Sequence, residues 1–269
     1  MNNVSTPYFV SFIFVFIVGA CIGSFLNLVI YRLPLKLSVV QPRSNCPSCK
    51  KTIPSLGLIP IFGFFLLRGK CYFCKTKISW RYPLIEFFCA LLTLIIYVKF
   101  FDETNFINLF YSKLFHFKLI LPFLTALWLL YTGIVLSAID LKHRILPDVI
   151  TIPGIFIGLI LSSCNPHVGF LSSFIGLAVG FGGLFLVTKL YEVIRKRQGM
   201  GFGDVKYLGF IGAVVGPLGV FYTLLVASII GSVIGIVYGI VTKKGLSASI
   251  PFGPFLAMAA LFVYVILNS

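Results

Sequence analysis

The sequence predicts an all-α polytopic membrane protein with about eight transmembrane helices and a small cytoplasmic domain between the first and second of them. Three observations predict it. Of 269 residues, 59% are hydrophobic and only 11% charged, and the mean hydropathy is +1.04, which no soluble domain approaches. Apolar runs recur along the chain at lengths that can span about 30 Å of hydrocarbon at about 1.5 Å per residue. The basic residues, 22 against 7 acidic, collect in alternate connecting segments. In a soluble chain a net charge of +15 would point to nucleic acid; here the positive-inside rule accounts for it, and nucleic acid is excluded as a partner.

The first span is read at Tyr8–Ile30. Residues 1–7 carry no Lys or Arg, which a secretory signal needs, so this helix is expected to be retained. Gly23 and Ser24 allow close helix packing, and Asn27 is read as a polar tie between helices. The second span runs from about Leu84 to Val98, after the break at Pro83. A short outer loop is expected at 99–118, with His116 on its surface. The third span is Leu119–Ile139 and the fourth, a short one, Val149–Ser163 with Asp148 as its N-cap. Phe170–Leu190 is the fifth, and its Gly176-x-x-x-Gly180 fits close packing. The sixth, Tyr207–Gly216, is short and begins near Asp204. Pro217-Leu218-Gly219 turns into the seventh, Val220–Val241, and Pro251–Leu267 is the eighth. Cys21, Cys89 and Cys164 read as packing residues, and His143 as interfacial.

With both termini outside, 19 basic residues fall on the inner side and 3, Lys99, Lys113 and Lys118, on the outer. If 207–216 were re-entrant, the split would be 17 to 5, so the charge count prefers eight crossings. The chain then divides into a first helix at 1–30, a polar segment at 31–83 and a helical bundle at 84–269.

The 31–83 segment holds ten of the basic residues and two C-x-x-C pairs, Cys46/Cys49 and Cys71/Cys74, separated by 21 residues. Each pair turns two sulfurs toward one tetrahedral centre, which is a zinc signature. Disulfides or a redox pair are the competing readings; the basic charge places the segment in the cytoplasm, where thiols stay reduced. The domain is therefore read as zinc-binding, with one structural zinc per chain, since four Cys close the shell.

Two carboxylates stand at the membrane boundary. Asp204 follows the alternating glycines of Gly199-Met200-Gly201-Phe202-Gly203, where N-capping is the plain reading. Asp140 follows Ile139 at a helix C-terminus, where the dipole opposes a negative charge. The topology puts both on one face. A carboxylate pair shares a proton, so one member can act as base on water while the other acts as acid toward a carbonyl. That is aspartyl-protease chemistry. A proton or ion relay uses the same pair, so an ion- or proton-coupled carrier with a zinc-stapled domain is the alternative. A carrier is expected to show midplane charges and inverted repeats, which this chain does not. No Ser/His pair is comparably placed, and HExxH is absent.

Six motifs in order resemble the type IV prepilin peptidases, the bifunctional leader peptidase/N-methyltransferases: GSFLNLVIYRLP at 23–34, the CPSC and CYFC pairs, RYPLIE at 81–86, IDLKHRILPD at 139–148, GMGFGDVK at 199–206 and IPFGP at 250–254. The resemblance covers nearly the whole chain. It implies a GxGD-type membrane aspartyl protease of the bacterial inner membrane, with Asp140 and Asp204 as the catalytic pair, acting among membrane lipid. It implies cleavage of prepilin or pseudopilin leaders after a glycine on the cytoplasmic side. It implies methylation of the new N-terminus with S-adenosylmethionine, and the Cys tetrad implies the bifunctional form. No GxGxxG after a strand supplies a donor site. Gly69, beside the second Cys pair, and Glu86, one turn into the second span, are the candidate donor residues; a plain reading of Glu86 is favourable placement at a helix N-terminus.

Overall fold

The computed structural model describes residues 5–41, 43–101, 113–163, 165, 168–196, 201–242 and 250–267. Its regular elements are helices, with two isolated antiparallel bridges, Asn45–Thr52 and Lys70–Lys77. The chain falls into two units, Met1–Lys113 and Leu114–Ser269.

In the first unit, α1 (Ser5–Arg32) packs on α3 (Arg81–Phe100). The approach is close because Gly23 has no side chain: a Cβ there would stand 2.8 Å from the Glu86 Cα. In lipid such contact replaces the hydrophobic drive between helices. Polar ties fasten both ends. Tyr8 Oη donates to the Phe101 carbonyl at 2.9 Å, and Asn27 Nδ2 donates to the Tyr82 carbonyl at 3.0 Å, the interhelical role expected of Asn27. Buried Arg32 donates to the Ser38 carbonyl at 2.9 Å and so folds the chain back below α1. Between α1 and α3 lies the Cys segment, with the single-turn helix α2 (Phe62–Leu66). Cys89 is buried as expected, whereas Cys21 is exposed on α1. Cys21 is therefore no packing residue, because a thiol facing lipid costs little and burial is not enforced.

In the second unit, α4 (Lys113–His143) is longer than the run that predicts it. It includes His116, expected in a loop, and it carries Asp140 inside its last turn. Next come α5 (Asp148–Ser163), α6 (Phe170–Leu177), a π-helical stretch Ala178–Gly183, and α7 (Leu184–Arg195). Then α8 (Phe202–Val241) runs 40 residues and α9 (Gly253–Leu267) closes the chain. From Tyr207 to Gly216 α8 is apolar on every side, and a helix segment of that kind must be enclosed. Val205 and every residue from Tyr207 to Gly216 are buried, against α5, α6, the π stretch and α9.

Small residues make that enclosure possible. A Cβ on Gly176 would stand 2.7 Å from the Gly216 Cα and would collide with the Gly212 carbonyl; one on Gly180 would stand 2.6 Å from the Leu208 carbonyl. The expected Gly176-x-x-x-Gly180 face is thus seated directly on the α8 backbone. Backbone cannot give way as a flexible side chain does, so Gly176→Leu is expected to destabilise the unit by about 1–3 kcal/mol, read as a lowered thermal midpoint in detergent.

Eight crossings are expected from the sequence; five helices among the described residues are long and apolar enough to cross by themselves. The difference has two sources. Asp148–Ser163 and Gly253–Leu267 are shorter apolar helices. The sixth and seventh runs form the single α8, interrupted at Gly216 by φ 72° and ψ 179°, just before Pro217. Positive φ is the region in which glycine is at ease. Cys164, expected to pack, and most of the expected outer loop lie outside the described residues.

Candidate active site and metal centre

In the second unit, Asp140 and Asp204 come together by way of three helix ends. Asp140 is 6% exposed. Its carbonyl accepts the Arg144 N–H at 2.8 Å, and Arg144 has φ 55°, so α4 stops and the chain turns toward Leu146. The Asp140 Oδ2 accepts the Gly253 N–H at 2.9 Å, a buried bond. That amide belongs to the first residue of α9, whose N-terminal N–H groups have no partner within the helix. This explains how Asp140 sits stably near the C-terminus of its own helix: the opposite end of another helix receives its charge.

Asp204 does not take the plain capping role. Gly201 caps α8, with φ −68° and ψ 138° and no side-chain cap, and Asp204 lies in the first turn with its N–H on the Gly201 carbonyl at 3.1 Å. The dipole there favours a carboxylate. Leu146 locks the ends together. A Cβ on Gly203 would stand 3.1 Å from the Leu146 Cβ, and one on Gly253 3.3 Å from its Cδ2 and 2.7 Å from Asp140 Oδ2. Asp140 and Asp204 are within electrostatic reach of each other, as Arg144 is of Asp140. An aromatic group holds the start of α8. Phe202 meets Phe181 and Phe185 edge-on at 6.1 and 6.2 Å. Lys206 Nζ lies 4.8 Å above the Phe202 ring and bonds both Asp148 oxygens at 2.8 Å. Asp148, expected to cap α5, is thus engaged by α8 instead. Sequence reasoning missed this pairing and the Gly253 amide.

In the first unit the four Cys Sγ atoms lie within 4.8 Å of one another, with Cys46–Cys74 at 3.8 Å and Cys49–Cys71 at 4.0 Å. Tetrahedral zinc with bonds of about 2.3 Å places sulfurs roughly 3.8 Å apart, so the cluster can bind zinc. The two knuckles repeat one design. Cys46 N–H donates to the Lys51 carbonyl at 2.9 Å and Cys71 N–H to the Thr76 carbonyl at 2.8 Å, while the Lys50 and Lys75 N–H groups return to the Cys46 and Cys71 carbonyls. Lys50 and Lys75 take φ 60° and 59°. Backbone and hydroxyl donors favour two of the four thiolates: the Cys49 N–H lowers the Cys46 pKa, and the Thr76 hydroxyl, 3.2 Å from Cys74 Sγ, brings Cys74 down to about 6, whereas Cys49 is held up at about 11. All the described cysteines are free.

A cavity of about 610 Å³ opens between α1, the knuckles and the start of α3. Glu86 lies in its wall, buried, with Oε2 accepting the Ile61 N–H at 2.7 Å. Its partner is thus a loop amide of the Cys segment. Gly69 is not a wall residue. It takes φ 64° in the turn after α2, where a Cβ would stand 3.0 Å from the Phe64 ring, and Phe64 itself lines the cavity.

The description "Bacterial Peptidase A24 N-terminal domain" matches residues 17–100, and "Type IV leader peptidase family" matches residues 123–236. The prepilin leader peptidase/N-methyltransferase of Pseudomonas putida is 31% identical, covering 90% of this chain and 86% of its own. That of Legionella pneumophila is 33% identical, covering 96% and 92%. The type 4 prepilin-like proteins leader peptide-processing enzyme of Escherichia coli O78:H11 is 32% identical, covering 90% and 89%. No solved structure matches the chain. With two successive domains matched and whole-length relatives above 30% identity, the chain belongs to the type IV leader peptidase family.

Proposed function

We propose that this protein is a membrane aspartyl endopeptidase that removes the basic leader of prepilins or pseudopilins after a glycine and then N-methylates the new N-terminus with S-adenosylmethionine. The observation that carries the reading is the meeting of Asp140 and Asp204 at the ends of α4 and α8, with Asp140 held by the Gly253 amide.

Asp140 and Asp204 share one proton between them. The ionised member takes a proton from a water as it attacks the scissile carbonyl; the protonated member gives its proton to the carbonyl oxygen. The tetrahedral intermediate collapses as the leaving nitrogen is protonated, and the pair returns to its starting state. The Gly253 N–H fixes the plane of the Asp140 carboxylate throughout, and the packing of Leu146 limits water at the pair.

Cys46, Cys49, Cys71 and Cys74 hold one zinc, whose role with four thiolates is to fold the segment. S-adenosylmethionine supplies an activated methyl group, and Gly69 and Glu86 are the residues assigned to the donor side, Gly69 through the turn that presents Phe64. Eight crossings follow if α8 crosses twice around its break at Gly216 and both shorter helices also cross. The 19 to 3 distribution of basic residues supports a cytoplasmic face for the Cys segment and the Asp pair. The enzyme then lies in the bacterial inner membrane.

The test is a peptide with a basic leader, a Gly-Phe junction and an apolar run, incubated with purified protein and S-adenosylmethionine. Mass spectrometry is expected to show loss of the leader and then a gain of one methyl on the new N-terminus. An intact peptide would overturn the reading.

A further inference from the structure

We infer that Lys206 is a positioning residue for the carboxylate pair; this rests on the peptidase reading above. Its bond to Asp148 joins the first turn of α8 to the loop that leaves Asp140, and that link sets the separation of Asp140 and Asp204. Lys206 Nζ bonds both Asp148 oxygens at 2.8 Å, across 58 residues of chain. The Asp148 side chain is 54% exposed, and an exposed ion pair adds little to stability. What this pair supplies is geometry.

The loop is short and tied at both ends. It starts where the Arg144 N–H bonds the Asp140 carbonyl at 2.8 Å. It ends at the start of α5, where the Pro147 carbonyl accepts the Ile150 and Thr151 N–H groups at 3.1 and 3.2 Å. Between these ties it touches α8 twice. Leu146 lies against Gly203, where a Cβ would stand 3.1 Å from the Leu146 Cβ, and Asp148 holds Lys206. Positions 203 and 206 are i and i+3 on one face of a helix, and Asp204 stands about 100° round the axis from Gly203. Both contacts therefore fall on the face beside the carboxylate. A first turn that slips on this loop carries Asp204 away from Asp140, from whose helix end the loop itself departs.

The rest of the contact between α5 and α8 is apolar and lies farther along both helices. A Cβ on Gly154 would stand 3.1 Å from the Phe210 ring, and one on Gly158 2.9 Å from the Val214 Cγ2. The start of α8 has fewer internal bonds, since the first four N–H groups of a helix lack partners within it. It is held from outside. Lys206 Nζ sits 4.8 Å above the Phe202 ring, and Phe202 meets Phe181 and Phe185 edge-on. Phe202 and Lys206 are i and i+4, so one ammonium steadies the ring and reaches Asp148 at once. Asp148→Asn leaves an oxygen opposite that ammonium and is expected to be mild; loss of the ammonium releases both ties.

The experiment measures kcat and KM for cleavage of the leader peptide by the full chain in detergent. Rates are taken well below the lowest thermal midpoint among the variants, so that all are folded in the assay. Lys206→Met keeps the stem and removes the charge. Its kcat is expected to fall by about tenfold or more at unchanged KM, toward the roughly hundredfold loss that a displacement of about 1 Å can cause. Lys206→Arg offers a planar fork to the carboxylate and a cation to the ring, and is expected to keep most of kcat. Asp148→Lys sets two like charges together and is expected to match Lys206→Met. The swapped double variant Asp148→Lys/Lys206→Asp is expected to recover part of that loss, the mark of a coupled pair. Full kcat in Lys206→Met, a loss carried by KM alone, or a swapped variant no faster than Asp148→Lys would overturn the positioning role. The wild-type protein is scored in the same assay, so a protein that cleaves yet fails these tests loses the positioning role and keeps the enzyme assignment.

Discussion

Asp204→Asn and Asp140→Asn are each expected to reduce leader cleavage by about a thousandfold or more, the upper part of the range for general acid–base groups. An amide can neither take the proton from water nor share one with its neighbour. The double variant is expected to be no slower than either single one, because members of one catalytic unit are not additive. The variants should remain folded. The amide that replaces the Asp140 carboxylate still offers an oxygen to the Gly253 N–H, and a side-chain amide at position 204 still suits the first turn of α8. Asp148→Asn is the comparison. Its carboxylate is largely exposed and paired with Lys206, and such surface pairs contribute at most about 1 kcal/mol. Cleavage is therefore expected to fall only slightly. The measurement is the initial rate on the leader peptide, at matched protein and with matched thermal midpoints. Full-rate cleavage by Asp204→Asn would falsify the assignment of the pair.

The difference between those carboxylates shows which parts of the site can be read from sequence. Asp140 and Asp204 stand out because a charge beside an apolar run is costly and demands a reason. The Cys pairs stand out because their spacing has few other uses. The Gly253 amide does not stand out: every residue but proline has an N–H, and only the fold shows which one is left over at a helix start. The Lys206–Asp148 pair joins residues 58 apart, and nothing local to either predicts the other. Glu86 is legible as an acid one turn into an apolar span, but its partner is a loop amide 25 residues away. The lengths of the helices are harder to read. Apolar runs locate the spans, yet α4 continues past Ile139 because its last turn is satisfied by capping geometry at Arg144 and not by hydropathy. Cys21 illustrates the limit from the other side: in lipid the outer surface is itself apolar, so composition does not separate packed from exposed positions.

Replacing Cys46 and Cys71 together by Ser, one ligand from each knuckle, is expected to remove the zinc and to reduce methylation far more than cleavage. Metal analysis should fall from about one zinc per chain to none, because two hydroxyls do not replace two thiolates for this ion. The segment between α1 and α3 has little apolar interior of its own. Its regular structure amounts to two isolated bridges, a few single turns and the short α2. In so small a fold the energy of metal binding is the energy of folding. Without zinc the knuckles lose their register, and with them go the wall at Tyr72 and Phe73 and the loop whose Ile61 amide holds Glu86. The carboxylate pair belongs to helices whose backbone bonds are internally satisfied in lipid, so Asp140 and Asp204 should persist. The assay reads leader loss and methyl gain separately on one peptide. A parallel fall of both activities at unchanged protein level would mean that the zinc segment seats the substrate for both steps, and the separation argued here would be wrong. A fall in methylation alone, together with lost affinity for S-adenosylhomocysteine, would place the defect at donor binding, the step that depends on the walls the zinc holds in shape.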